Sequence, residues 1–108
     1  MADEKANIDR IFHALGDRTR REMVERISLA PISVSSLAKP FGMSLAAVVQ
    51  HLQILENCGL VRSEKVGRVR TYSIDSDGLT MISEWIGERR TVWERSLDRL
   101  GELLAEEQ

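Results

Sequence analysis

Residues 33–72, SVSSLAKPFGMSLAAVVQHLQILENCGLVRSEKVGRVRTY, decide the fold. Ser33 is placed to cap a short helix containing Val34, Leu37 and Ala38, because a serine hydroxyl accepts an orphan amide hydrogen of the first turn. Pro40 lacks an amide hydrogen and should end or distort that helix within its last turn. Phe41-Gly42-Met43 makes the turn, and Ser44 caps a longer helix. Met43 before that cap and Val48 at the fourth helical position have the spacing of a hydrophobic staple, which fixes the chain's entry angle. The helix runs to Cys58, where Gly59 supplies the left-handed residue that commonly stops one.

On a wheel of this second helix, Leu45, Val48, Leu52 and Leu55 share the side expected to face the core. Ala46, Ala47, Gln50, Gln53, Ile54 and Asn57 lie opposite, with Val49 and His51 at the boundary. A solvated surface helix would more often carry Lys and Glu on its outer side, and this one carries neither. Small residues permit close approach to a groove, and Gln gives two hydrogen bonds to adenine. Ser44, Ala46, Ala47, Gln50, His51 and Gln53 are therefore the candidate DNA contacts on this helix.

Leu60 to Ile74 reads as a β-hairpin with Gly67 at its tip and β-favouring Val69, Thr71 and Tyr72 on the return. Tyr72 and Ile74 share parity and should anchor the base against the core. Lys65, Arg68 and Arg70 sit at or near the tip, positioned to meet phosphate or enter a minor groove; the plainer alternative is an ordinary charged hairpin. Double-stranded DNA is the partner this helix–turn–helix–ribbon order suits.

Outward from this stretch, Ile8, Ile11, Phe12 and Leu15 form one stripe of a first helix. Gly16 ends it, and Asp17 is a cap for a second helix with Met23, Val24 and Ile27 inward. Arg18, Arg20 and Arg21 near its start read as a solvated face, with phosphate contact as the alternative. After the hairpin a long helix begins at Asp75 or Ser76. Leu79, Ile86, Trp93 and Leu100 recur every seven residues, and Ile82, Trp85, Leu97, Leu103 and Leu104 widen the face. A chain this small has little left to cover so broad a stripe. A homodimer is expected, with Ile8, Ile11, Phe12, Leu79, Ile82, Ile86, Trp93, Leu97 and Leu100 in its interface. Glu102, Glu106 and Glu107 mark an expected fraying end.

The expected architecture is mainly α with a small β-hairpin, in the order α-α-α-α-β-β-α. At 108 residues it should be one domain (1–108): a helix-turn-helix at 33–59, a hairpin wing at 60–74, and dimerisation helices at 5–16 and 76–105. The formal net charge of −2 is unusual for a DNA binder. Its distribution answers part of that objection. Residues 33–75 hold Lys39, Arg62, Lys65, Arg68 and Arg70 against Glu56, Glu64 and Asp75, whereas residues 76–108 hold four arginines against eight acids. Binding should rest on a few placed charges. The acidic start, Met1 to Lys5, offers no apolar leader, and no run of about 18 uncharged apolar residues could span a membrane. One cysteine, Cys58, cannot close an internal disulfide. These features favour the cytoplasm.

Taken together, Leu37-Ala38, Val48-Val49-Gln50-His51-Leu52, Cys58-Gly59-Leu60-Val61 and Gly67-Arg68 closely resemble the winged helix-turn-helix of the ArsR/SmtB repressor family. The opening Ala14-Leu15-Gly16-Asp17-x-Thr19-Arg20 is also similar to that family's, so the likeness covers roughly residues 8–75. The Trp93-Glu94-x-x-Leu97-Asp98-x-Leu100 tail resembles a branch that often lacks metal ligands. One departure is Val49, where the family commonly has a serine able to contact DNA. The resemblance implies an elongated dimer that inserts two recognition helices into major grooves, represses promoters, and responds to an effector whose identity the sequence does not give.

Metal sensing is not expected. Ser33-Val34-Ser35 stands where relatives carry Cys-Val-Cys, and neutral hydroxyls are poor ligands for soft ions. The last helix has no histidine, and His13, His51 and Cys58 lack ligand spacing. No cofactor is expected, and no enzyme either: there is no phosphate loop, metal cluster or nucleophile with a base partner. Two alternatives stand beside the DNA-binding regulator. One is a winged-helix module that binds protein; the other is a repressor made redox-responsive by Cys58, whose plainer role is a small buried hydrophobe.

Overall fold

Each expected cap stands at the head of its helix in the computed structural model, which describes residues 4–106. Met1–Asp3 of the acidic start and Glu107 of the expected frayed end lie outside those residues. The elements are α1 (Glu4–Leu15), α2 (Arg18–Leu29), β1 (Ile32–Ser33), α3 (Val34–Ala38), α4 (Leu45–Asn57), β2 (Val61–Val66), β3 (Val69–Ile74) and α5 (Ser76–Glu106). Asp17 accepts the Arg20 amide at 3.0 Å, Ser33 accepts Ser36 at 3.3 Å, and Ser44 accepts Ala47 at 3.2 Å. Pro40 breaks α3 as expected, and residues Lys39–Phe41 tighten into a 3-10 turn before Gly42 turns left-handed at φ 60°.

The end of α4 is a Schellman closure. The Gly59 amide donates to Glu56 O (3.1 Å) and the Leu60 amide to Leu55 O (3.0 Å), with Gly59 at φ 81°. Leu55 and Leu60, both fully buried, supply the apolar contact that accompanies this motif. The core gathers Ile11 and Ala14 of α1, Met23 and Ile27 of α2, Leu37 of α3, Val48, Leu52 and Leu55 of α4, and Val61 and Tyr72 of the sheet.

Three placements differ from the sequence expectation. The sheet has three antiparallel strands in the order β1-β3-β2, because Ile32 and Ser33 pair with Tyr72 and Thr71. Leu45, expected in the core, is 52% exposed, while Ile54, expected outside, packs against the core. Leu45 is the first residue of α4, next to its Ser44 cap. α1 covers the side of α4 that bears Ile54. At the other end of the chain, α5 stays helical through Glu102 and Glu106, where fraying was expected.

Entry to α5 is unusually tight. The Asp75 carboxylate accepts the Asp77 amide at 3.0 Å, and the Gly78 amide donates to Gly59 O at 2.9 Å. A Cβ at Gly78 would lie 2.7 Å from Gly59 C and closer still to Gly59 O. Only glycine lets the two backbones meet there. From this anchor α5 runs 31 residues, about 46 Å at 1.5 Å per residue. Its first half lies beside α1, where Phe12 and Trp85 meet edge to face at 5.1 Å. Its second half extends away from the protomer with every described residue exposed, including Trp93 (52%) and Leu97 (67%).

Candidate nucleic-acid interface

Burial of Val48, Leu52 and Leu55 fixes which side of α4 faces outward. That side presents Ser44, Ala46, Val49, Gln50, Gln53 and Asn57, all exposed, while Ala47 is half-buried. Val49, placed at the boundary by sequence, belongs to this outer side. It joins Gln53, Val34, Glu56, Arg70 and Tyr72 around a cleft between α4 and the ribbon. The groove-reading candidates therefore form one continuous surface, except His51.

His51 is half-buried and turned towards α2, where Arg20 Nη1 stands 3.2 Å from its Nδ1. Arg20 itself is only 9% exposed. Its Nε donates to Ala14 O at 2.8 Å and its Nη2 to His13 O at 3.2 Å. Arg21 donates to Leu15 O at 2.7 Å. Arg20 does not fit the solvated or phosphate-binding role read from sequence, whereas Arg21 is exposed, as the solvated reading had it. Both close the carbonyl end of α1, where cations are favoured by the helix dipole. Arg18 is exposed too, paired with Glu22 at 3.2 Å.

The ribbon β2–β3 is in register from Val61↔Ile74 to Val66↔Val69, leaving Gly67-Arg68 as a two-residue turn. Gly67 has φ 61° and Arg68 does not share the positive φ, the arrangement of a II′ hairpin turn. Parity puts Val61, Ser63, Lys65, Arg70, Tyr72 and Ile74 on one face. At its base Tyr72 is buried and Ile74 partly so, as the sequence indicated, and Val61 is buried beside them. Beyond the core, Lys65 lies opposite Arg70, and Lys65, Arg68 and Arg70 are all exposed. Arg70 is not at the tip. It donates to Ser63 Oγ at 2.9 Å, and Ser63 donates onward to Glu56 at 2.7 Å. This relay ties the ribbon's basic face to the end of α4. Nothing in local spacing announced it, since the three groups meet only through the hairpin register. Burial raises the Tyr72 phenol, and the Glu56 carboxylate raises it further.

Of the residues expected between subunits, Ile8 and Ile11 are buried within the protomer, so they support α1 from beneath. Phe12, Leu79, Ile86, Trp93, Leu97 and Leu100 are exposed, and Ile82 packs partly on the core. Cys58 is half-buried, and its thiol donates to Leu55 O at 3.3 Å. Desolvation by burial pushes its pKa up. Ser33 Oγ is occupied in capping α3 and lies 3.0 Å from Ser36 Oγ. Among the described residues, no three His, Cys, Asp or Glu side chains cluster as a metal site would require.

The model of the bacterial regulatory proteins of the arsR family matches residues 17–63. The HTH-type transcriptional regulator Rv2034 of Mycobacterium tuberculosis is 35% identical over 99 residues, covering 92% of this chain and 90% of that protein. The crystal structure of an ArsR family transcriptional regulator is 41% identical with a TM-score of 0.79, covering 87% of this chain and 97% of the other. A homodimeric winged helix-turn-helix DNA-binding domain from Mycobacterium bovis, a possible ArsR-family regulator, shares the fold: TM-score 0.65 at 23% identity, covering 84% of this chain and 91% of that one. An outward side of α4 formed by Ala46, Val49, Gln50 and Gln53, a basic ribbon beside it and this agreement across nearly the whole chain lead to one conclusion. The chain belongs to the arsR family of bacterial regulatory proteins and is a winged helix-turn-helix, DNA-binding transcriptional regulator.

Proposed function

We propose that this protein is a cytoplasmic homodimeric repressor that binds a palindromic operator. The observation that carries the reading is the continuous exposed surface of Ala46, Val49, Gln50 and Gln53 leading onto Lys65, Arg68 and Arg70. In the complex, α4 enters the major groove and the wing rests on phosphates or in the adjacent minor groove. Residues 33–59 act as the helix-turn-helix, 60–74 as the wing, and 5–16 with 76–105 as the association helices of a single domain. Two copies are needed because Trp93, Leu97 and Leu100 in the second half of α5 stay exposed among the described residues of one protomer. The homodimeric form of the Mycobacterium bovis relative supports the same assembly.

Repression is relieved by an effector that binds one dimer conformation better than the other; its differential affinity sets the coupling. That effector is not a metal ion, a reading supported by hydroxyls at Ser33 and Ser35 and by the capping role of Ser33. A stoichiometric zinc titration that weakened operator binding would overturn this part. Redox control through Cys58 is disfavoured, because a thiol made less acidic by burial yields less of the reactive thiolate.

The experiment is binding to the DNA upstream of the protein's own gene at two salt concentrations. A site preference with a log–log salt slope reflecting several phosphate contacts is expected. Indifference to every duplex would favour the protein-binding module instead.

A further inference from the structure

We propose that Arg20 is a positioning residue: it fixes His51 as the Nε2–H tautomer, so that the recognition helix offers a neutral N–H donor to a DNA phosphate oxygen. The inference rests on the DNA-binding reading above and names a contact within it. A guanidinium has five donors, no lone pair to offer, and no deprotonated form in a protein. With Arg20 Nη1 at 3.2 Å, His51 Nδ1 must be the acceptor. The single ring proton then belongs on Nε2.

Arg20 cannot turn away to release the ring. Its Nε and Nη2 are held by Ala14 O and His13 O, the last carbonyls of α1. The negative end of that helix compensates the buried cation. Asp17, the cap of α2, adds a carboxylate within electrostatic reach of both Arg20 and His51.

The other edge of the ring is open. Among the described residues no buried side-chain nitrogen or oxygen lacks a partner. His51 Nε2 makes no hydrogen bond to any described residue, so solvent reaches it. On α4, His51 follows Ser44 and Ala47 by seven and four residues, along the flank of the helix beside its groove-facing side. The flank of a helix lying in a groove runs next to a phosphate rail, where contacts fix register without reading sequence. A donor whose proton position is set in advance suits that place.

Two isosteres separate the edges of the ring. His51→Asn keeps an acceptor near Nδ1 and loses the outer donor, whereas His51→Gln keeps a donor near Nε2 and loses the inner acceptor. Long-range ¹H–¹⁵N correlation on the unbound protein should show the Nε2–H pattern, and Arg20→Lys should mix the two tautomers. His51→Asn should keep the wild-type urea midpoint yet bind every duplex on the order of ten-fold more weakly. Its salt slope should be unchanged, because a neutral donor displaces no counterion. His51→Gln should bind near wild type with a lowered midpoint, since Arg20 loses a partner. An Nδ1–H or doubly protonated ring in the wild type overturns the proposal. So does wild-type affinity in His51→Asn, or a slope reduced by about 0.9, the mark of a lost cationic contact. Should the wild type bind no duplex, the phosphate contact falls together with the DNA reading; the spectrum still decides what Arg20 does to the ring.

Discussion

Replacing Gly78 with alanine sets two magnitudes against each other. By helix propensity alone the change should stabilise α5 by about 1 kcal/mol. The packing says otherwise. The added Cβ would meet Gly59 C at 2.7 Å and Leu60 N at 3.1 Å, both backbone atoms of the Schellman closure that ends α4. Overpacking of this kind costs about 1–3 kcal/mol. Separation of the helices also loosens the 2.9 Å bond from the Gly78 amide to Gly59 O, worth about 1 kcal/mol. The net expectation is destabilisation by about 1–3 kcal/mol, with the melting temperature falling by about 4–8 °C for each kcal/mol. Urea titration followed by circular dichroism reads this directly. Protomer concentration must be held fixed, because association contributes to apparent stability. Gly87→Ala is the control, since its Cβ would meet open space; it should gain about 0.5–1 kcal/mol. If Gly78→Ala proves as stable as Gly87→Ala, the close crossing of α5 on the end of α4 is wrong.

Four further outcomes follow. Gln50→Ala should relax base preference at one operator position by about 1–3 kcal/mol, measured by competition among single-substituted duplexes. Arg68→Ala should weaken all duplexes alike and reduce the log–log salt slope by about 0.9; equal effects of the two changes on specificity would contradict their separate roles. Trp93→Asp should leave a monomer in sedimentation velocity, and an unaltered profile would contradict the placement of the exposed α5 stripe. Asp17→Ala should cost about 1 kcal/mol at neutral pH through loss of its cap. The Arg20 amide, its chief partner, lowers the Asp17 pKa in the folded state. Its contribution is therefore complete above the ordinary aspartate value and fades as pH falls through the lowered one. Urea midpoints of wild type and variant should converge in acid.

The caps, the Gly59 stop, the hairpin and the amphipathic stripes were readable because each is written in residues close together in sequence. Ser44 and the Met43–Val48 pair declare the start of α4 within six residues. Features made by chain crossing were not. β1 is only two residues, Ile32 and Ser33, and exists because β3 arrives beside it. Leu45 and Ile54 were exchanged because a wheel gives the direction of a side chain without telling what element covers it. Arg20 was misread for a related reason: charged side chains are seldom fully buried unless their donors are met. Here the partners are two α1 carbonyls and a histidine 31 residues away. Gly78 carried a usable signal, since a glycine in the first turn of a long helix is unfavourable unless something needs the space.

The central claim is that two copies present two α4 helices to successive major grooves. Selection of bound duplexes from a random pool, with the purified full-length protein, tests it most directly. An inverted repeat is expected, its half-sites one helical turn, about 34 Å, or a multiple of it apart. Enrichment of a single unrepeated element, or of none, would contradict it.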